Sequence, residues 1–129
     1  MCSSIVDFLH YEIPKVQFEK TPSVEDDVTA NLHFAVQTNE NDATLRRVTM
    51  IVELSGNLTS EITIAGVFRL NDNYPKEYEN SNALLIIAGS ILIPYVRSLL
   101  SFLSSADGSP PFIFPTINLN EFFSQEQEE

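Results

Sequence analysis

Residues 45–70 read LRRVTMIVELSGNLTSEITIAGVFRL, and the two apolar alternations that meet at a turn within this stretch point to a β-hairpin. Val48, Met50, Val52 and Leu54 are in phase before the turn; Ile62, Ile64, Phe68 and Leu70 are in phase after it. Successive side chains of a strand point to opposite faces, so each set lines one face. Ser55, Gly56 and Asn57 supply the turn chemistry. A two-residue loop would send the two apolar sets to opposite faces. A three-residue loop pairs Leu54 with Leu58 and Met50 with Ile62, which puts both sets on one face, and this is the form predicted.

Upstream, residues 28–36 alternate just as clearly, with Val28, Ala30, Leu32, Phe34 and Val36 set against Thr29, Asn31, His33 and Ala35. Residues 10–19 form a less regular strand. Tyr11 and Ile13 are odd and Val16 and Phe18 even, so the phase flips at Pro14-Lys15. A bulge accounts for the flip, and a proline without a ladder donor places this strand on a sheet edge. Four strands with short connections predict an antiparallel meander or Greek key with one face covered.

Downstream, residues 71–82 carry the Asn, Pro and Tyr of a loop. Residues 83–103 are almost continuously apolar. Gly89, Ser90, Pro94 and Arg97 interrupt them, and basic flanks and aromatic belts are missing, so a soluble buried helix is expected rather than a membrane span. Ser90 reads as the N-cap and Pro94 as a first-turn residue, which predicts a helix over about residues 91–105, stopped by Asp107-Gly108 and Pro110-Pro111. That helix is apolar around most of its circumference, more than one sheet can cover. Self-association is the economical answer, with Ile91, Tyr95, Leu99 and Phe102 as the expected oligomer interface.

Residues 109–118, SPPFIFPTIN, hold three prolines and are extended, yet they carry Phe112, Ile113, Phe114 and Ile117. Such a loop either plugs the core or lines a groove. Residues 119–129 read as a short amphipathic helix that frays into an acidic tail. No repeat or linker appears, so residues 1–129 read as a single domain of class α+β. The expected architecture is a four-stranded antiparallel sheet packed on one long helix, with a short C-terminal helix.

A formal net charge of −11, from 18 acidic and 7 basic residues, disfavours nucleic acid and anionic membrane surfaces as partners. The lone cysteine, Cys2, permits no intrachain disulfide and fits a reducing cytoplasm, and no secretory signal is read at the start. The sequon at Asn57 is then a chance match. His10, His33 and Cys2 are too scattered for a zinc site, and Glu25-Asp26-Asp27 lacks the alternating ligands of a calcium loop. There is no phosphate-binding glycine loop and no nucleophile elbow, so neither an enzyme nor a cofactor is expected.

Residues 90–98, SILIPYVRS, resemble the helix-opening motif of the SecB family of export chaperones. Residues 108–118, GSPPFIFPTIN, are similar to that family's Pro-rich loop. Residues 16–19, VQFE, and 60–68, SEITIAGVF, resemble its first and fourth strands. The resemblance implies a dimer of dimers that holds non-native preproteins for the SecA translocase without ATP. By position it implies client-binding roles for Phe112, Ile113, Phe114 and Ile117, joined by Val28 and Leu32, and translocase contacts at Glu19 and Glu61. The crossover after the first strand is short, the chain has no tryptophan, and Lys15 stands where an acidic translocase contact is expected. A dedicated chaperone or adaptor of a toxin–antitoxin system and a carrier of a small apolar ligand are the alternatives.

Overall fold

The computed structural model describes residues 4–20 and 27–127, with side chains to residue 124, and the chain forms two compact units, residues 1–72 and 73–129. The predicted acidic tail lies partly outside the described residues, as do Cys2 and the acidic run at residues 25–26.

The first unit is a sheet of four antiparallel strands, β1 (Val6–Lys20), β2 (Val28–Thr38), β3 (Leu45–Gly56) and β4 (Leu58–Leu70). Their order is β1-β4-β3-β2. The β2-β3-β4 hairpins with β1 returning beside β4 make a Greek key, one of the two expected topologies. Across the sheet, Val16, Ile62, Val52 and Leu32 form one row. Burial concentrates on this face of the central strands, at Val48, Met50, Val52 and Leu54 of β3 and at Ile62, Ile64 and Phe68 of β4. On the edge strands Val16 and Val36 stay in phase but remain 47% and 42% exposed.

β1 is an edge strand as predicted, and its register slips between Glu12 and Lys15, where the phase flip lies. A second slip, between Phe8 and His10, left no mark in the sequence pattern. On the opposite face Arg47 of β3 is ion-paired with Glu12 of β1. The register places Val67 and Ala65 of β4 between their positions, so the two long side chains arch over β4. That explains why Ala65 is buried on the otherwise polar face.

The β3–β4 register corrects the expected turn. Leu54 pairs with Ser60 and Met50 with Ile64, two residues further along than a three-residue loop requires. Both apolar sets still share a face because the shift is even. The cause is Gly56, which does not turn but continues β3 opposite Val28. Its φ is +123°, and a Cβ built there would lie 2.2 Å from the Asp27 carbonyl oxygen. Only glycine satisfies both conditions. Gly56→Ala is expected to cost about 1–3 kcal/mol of stability, read as a lower midpoint in urea unfolding, because backbone strain adds to a clash that backbone cannot easily relieve.

The β2–β3 turn is held by local side chains. Asn39 Oδ1 accepts the amides of Asn41 and Asp42 at 2.7 and 3.1 Å. Asp42 Oδ1 accepts the Thr44 hydroxyl at 2.6 Å and its amide at 3.0 Å, and these bonds hold the Asp42 carboxyl below its usual pKa.

The second unit holds a short 3-10 helix at Lys76–Asn80, then α1 (Ala83–Ser105) and α2 (Leu119–Gln127). Here the expected helix start is corrected. α1 begins seven residues before Ser90, with Ala83 N–H donating to Ser81 Oγ at 3.1 Å and Ile86 N–H donating to Asn82 O. Ser90 is mid-helix, and its hydroxyl donates back to Ile86 O at 2.7 Å. Pro94 is also internal. It frees the Ser90 carbonyl, but both residues lie on the exposed side, where that acceptor is open to solvent rather than sealed in the core. At 23 residues, with an 18-residue stretch of mean hydropathy 2.0, α1 is by length and composition able to cross a bilayer; 33% of that stretch is buried within the chain.

Burial along α1 is one-sided. Leu84, Ala88, Leu92, Val96, Leu100 and Ser104 repeat every four residues and are buried. The helix stops where predicted, with Gly108 at φ +89° donating its N–H to Ser105 O at 3.0 Å. α2 is capped by Asn118, whose Oδ1 accepts the Glu121 N–H at 3.2 Å. It buries Leu119 and Phe123.

Candidate functional site

The Pro-rich segment between α1 and α2 divides its four apolar residues between two fates. Phe114 is 1% exposed and anchors the segment, Phe112 and Ile117 are half-buried, and Ile113 is 67% exposed. Two hydrogen bonds explain the division. The Phe112 N–H donates to Ser104 Oγ at 2.7 Å, and Arg97 Nε donates to the Phe114 carbonyl at 3.4 Å. Ser104 is buried and uses its hydroxyl fully, donating to Ser101 O at 3.2 Å while accepting from Phe112. The segment is thus clamped to α1 on either side of Ile113.

Sequence reasoning missed Ser104 and Arg97. The signal was present for Ser104, a hydroxyl in an otherwise apolar four-residue repeat. A polar group buried there needs a partner. Arg97 registered only as an interruption of the apolar run.

The expected interface residues share one stripe of α1, spaced four, four and three residues apart. Phe102 is 68% exposed and Tyr95 is also exposed, while Ile91 and Leu99 are half-buried. An exposed phenylalanine of this degree beside an apolar row leaves α1 with a second apolar strip flanking its buried repeat, about 100° around the helix.

In the first unit, Leu32 is buried and Val28 half-buried on β2. Glu19 and Glu61 fall on the polar face of β1 and β4. Glu61 pairs directly with Gln17 on one side and Glu53 on the other, and its carboxylate is ion-paired with Lys15. His33 Nε2 lies 3.6 Å from Glu53 on the same face and is largely exposed, as its strand phase predicted. Gln17, Asn31, Glu53, Thr59 and Glu61 line a shallow hollow of about 290 Å³. The described residues hold no cluster of three or more His, Cys, Asp or Glu side chains that would bind a metal ion.

A family profile described as "Preprotein translocase subunit SecB" matches residues 8–129. The chain belongs to the SecB family. The protein-export protein SecB of Anaplasma phagocytophilum (strain HZ) is 30% identical over 111 residues, covering 85% of this chain and 65% of that protein. Its counterpart in Neisseria meningitidis serogroup A is 35% identical over 85 residues, covering 63% of this chain and 56% of that protein. The chain therefore spans between about half and two thirds of the length of these SecB relatives. Among solved structures, the SecB-like chaperone of Mycobacterium tuberculosis, bound to a peptide from the HigA1 antitoxin, matches with a TM-score of 0.63. It is 16% identical, and the match covers 88% of this chain and 90% of that one, a likeness of fold. A Streptococcus agalactiae protein of unknown function matches with a TM-score of 0.58 at 10% identity, covering 86% and 97%. The SecB fold, a four-stranded antiparallel sheet with one long and one short C-terminal helix, is thus both read in the sequence and found in the structure.

Proposed function

We propose that the chain is a cytoplasmic holding chaperone that binds non-native polypeptides without ATP, as a homo-oligomer. The observation that carries this reading is the clamped Pro-rich segment, which keeps Ile113 two thirds exposed beside a buried Phe114 anchor. Apolar burial is non-directional, so a surface of this kind accepts many unfolded sequences. At ~25 cal/mol per Å², an extended client segment that buries a few hundred Å² gains several kcal/mol. Ordering the client offsets part of that, so tight holding calls for several such surfaces on one assembly. The exposed stripe of Tyr95 and Phe102 on α1, continued by Ile91 and Leu99, supplies the surface for assembly, with a dimer of dimers as the expected state.

Membership of the SecB family supports preproteins as clients and a SecA-type translocase as a partner met through Glu19 and Glu61. Lys15 already neutralises Glu61, so a basic partner group must displace it, and exposed pairs of this kind are worth only ~1 kcal/mol or less. A second reading, a chaperone dedicated to one partner, is favoured by the antitoxin peptide seen on the Mycobacterium tuberculosis protein of the same fold.

Purified protein added at stoichiometric ratio to a chemically unfolded test protein is expected to suppress its aggregation, read by light scattering without nucleotide. Undiminished scattering would sink the general holding role, and a single co-purifying client would favour the dedicated one. Phe102→Glu is expected to lower the assembly's mass in light scattering coupled to size exclusion. An unchanged mass would remove this stripe from the interface.

A further inference from the structure

The clamp on the Pro-rich segment constrains its backbone as well as its side chains. Ser104 and Arg97 are seven residues apart on α1. That is about 10.5 Å along the helix axis. Their partners, Phe112 and Phe114, are only two residues apart. Extended chain advances about 3.3 Å per residue, so residues 112–114 run extended and antiparallel to α1, with the long arginine side chain covering the remainder. Proline at 115 independently holds Phe114 in an extended conformation. Side-chain burial alternates accordingly, Phe114 in and Ile113 out.

In an extended chain the backbone groups of alternate residues point to the same side. α1 takes the Phe112 N–H and the Phe114 carbonyl, which leaves the N–H and carbonyl of Ile113 directed away from it. Neither Ile113 group has a hydrogen-bond partner among the described residues. The next residues in phase with Ile113 are Pro111 and Pro115, which have no N–H to offer.

We propose that Ile113 is a one-residue edge strand: its backbone N–H and carbonyl pair with one residue of an extended client segment while its side chain packs against that segment. The occupant is an extended, apolar polypeptide, because only a peptide backbone supplies a donor and an acceptor at matching spacing. The prolines at 111 and 115 end the ladder on both sides. Pairing is therefore brief and reversible, and clients cannot build a continuous sheet on the chaperone. Ser104 and Arg97 act as positioning residues, since they turn the backbone of Ile113 outward.

This inference rests on the holding function, and a backbone-specific test separates the two. The probe is a short acetylated and amidated peptide alternating leucine with serine, whose affinity is measured by isothermal titration. Replacing the Phe112–Ile113 amide by an ester removes one N–H and keeps every side chain. It is expected to weaken the peptide roughly fivefold, the effect of one hydrogen bond, with the thermal midpoint unchanged. The same peptide N-methylated at all alternate residues is expected to lose at least as much. Equal binding by the ester protein and by the N-methylated peptide overturns the edge-strand pairing and leaves side-chain holding intact. Failure of the unmodified peptide to bind overturns the holding function, and the pairing with it.

Discussion

Ile113→Asp is expected to lower the affinity for unfolded clients about a hundredfold while leaving the fold in place. Burying an isoleucine side chain in a client contact gains roughly 1.5–3 kcal/mol. A carboxylate at the same point forfeits that gain and must be desolvated in addition. A combined loss near 3 kcal/mol corresponds to about two decades of affinity. Ile113 is 67% exposed in the chain and its side chain supports no internal packing on the scale of Phe114, so stability should change by only ~0.5 kcal/mol. Titrating a fluorescently labelled, permanently unfolded client into wild type and variant checks the affinity, and a thermal melt checks the fold. Unchanged affinity would remove the Pro-rich segment from the client surface.

The neighbouring position should behave in the opposite way. Phe114→Ala is expected to destabilise the protein by about 3–5 kcal/mol, because it deletes a fully buried ring and leaves a cavity. For a chain of this size that is a fall of roughly 10–20 °C in the thermal midpoint. It is also a large share of the ~5–15 kcal/mol that holds a typical domain together. Differential scanning calorimetry reads it directly. A midpoint within a few degrees of wild type would mean that Phe114 is not the anchor, and the clamp by Ser104 and Arg97 would lose its purpose. The contrast between adjacent residues separates two readings that the sequence left open together, a core plug and a groove wall. In the structure Phe114 is buried as a plug would be, while Ile113 is left exposed.

Much of the fold was legible because it is written in local periodicity. Period-two alternation marked β2, β3 and β4, and the phase flip at Pro14-Lys15 marked the slip in β1. The end of α1 at Ser105 followed from the glycine and prolines beyond it. The hairpin register did not follow, because Gly56 answers to the carbonyl of Asp27, nearly thirty residues away in sequence, and not to its turn neighbours. The start of α1 was misplaced for a similar reason. Ser90 and Pro94 look like a helix opening, yet both lie on an exposed side, where a freed carbonyl faces solvent and leaves no buried unpaired acceptor to end the helix.

The candidate site shows the same boundary. Sequence alone picked out residues 112–117, since four large apolar residues among three prolines are too hydrophobic for an ordinary loop. It also marked the α1 stripe of Ile91, Tyr95, Leu99 and Phe102 as more apolar surface than one layer covers. Neither reading required coordinates, because composition and spacing are properties of the chain itself. Which apolar residue is anchored and which is offered was decided only in three dimensions. Ser104 and Arg97 lie eight and seventeen residues before the backbone groups they hold, and only the path of the chain back along α1 brings them together. Burial is set by what the rest of the fold places against a residue, and alternate backbone directions in an extended segment then send its neighbour outward.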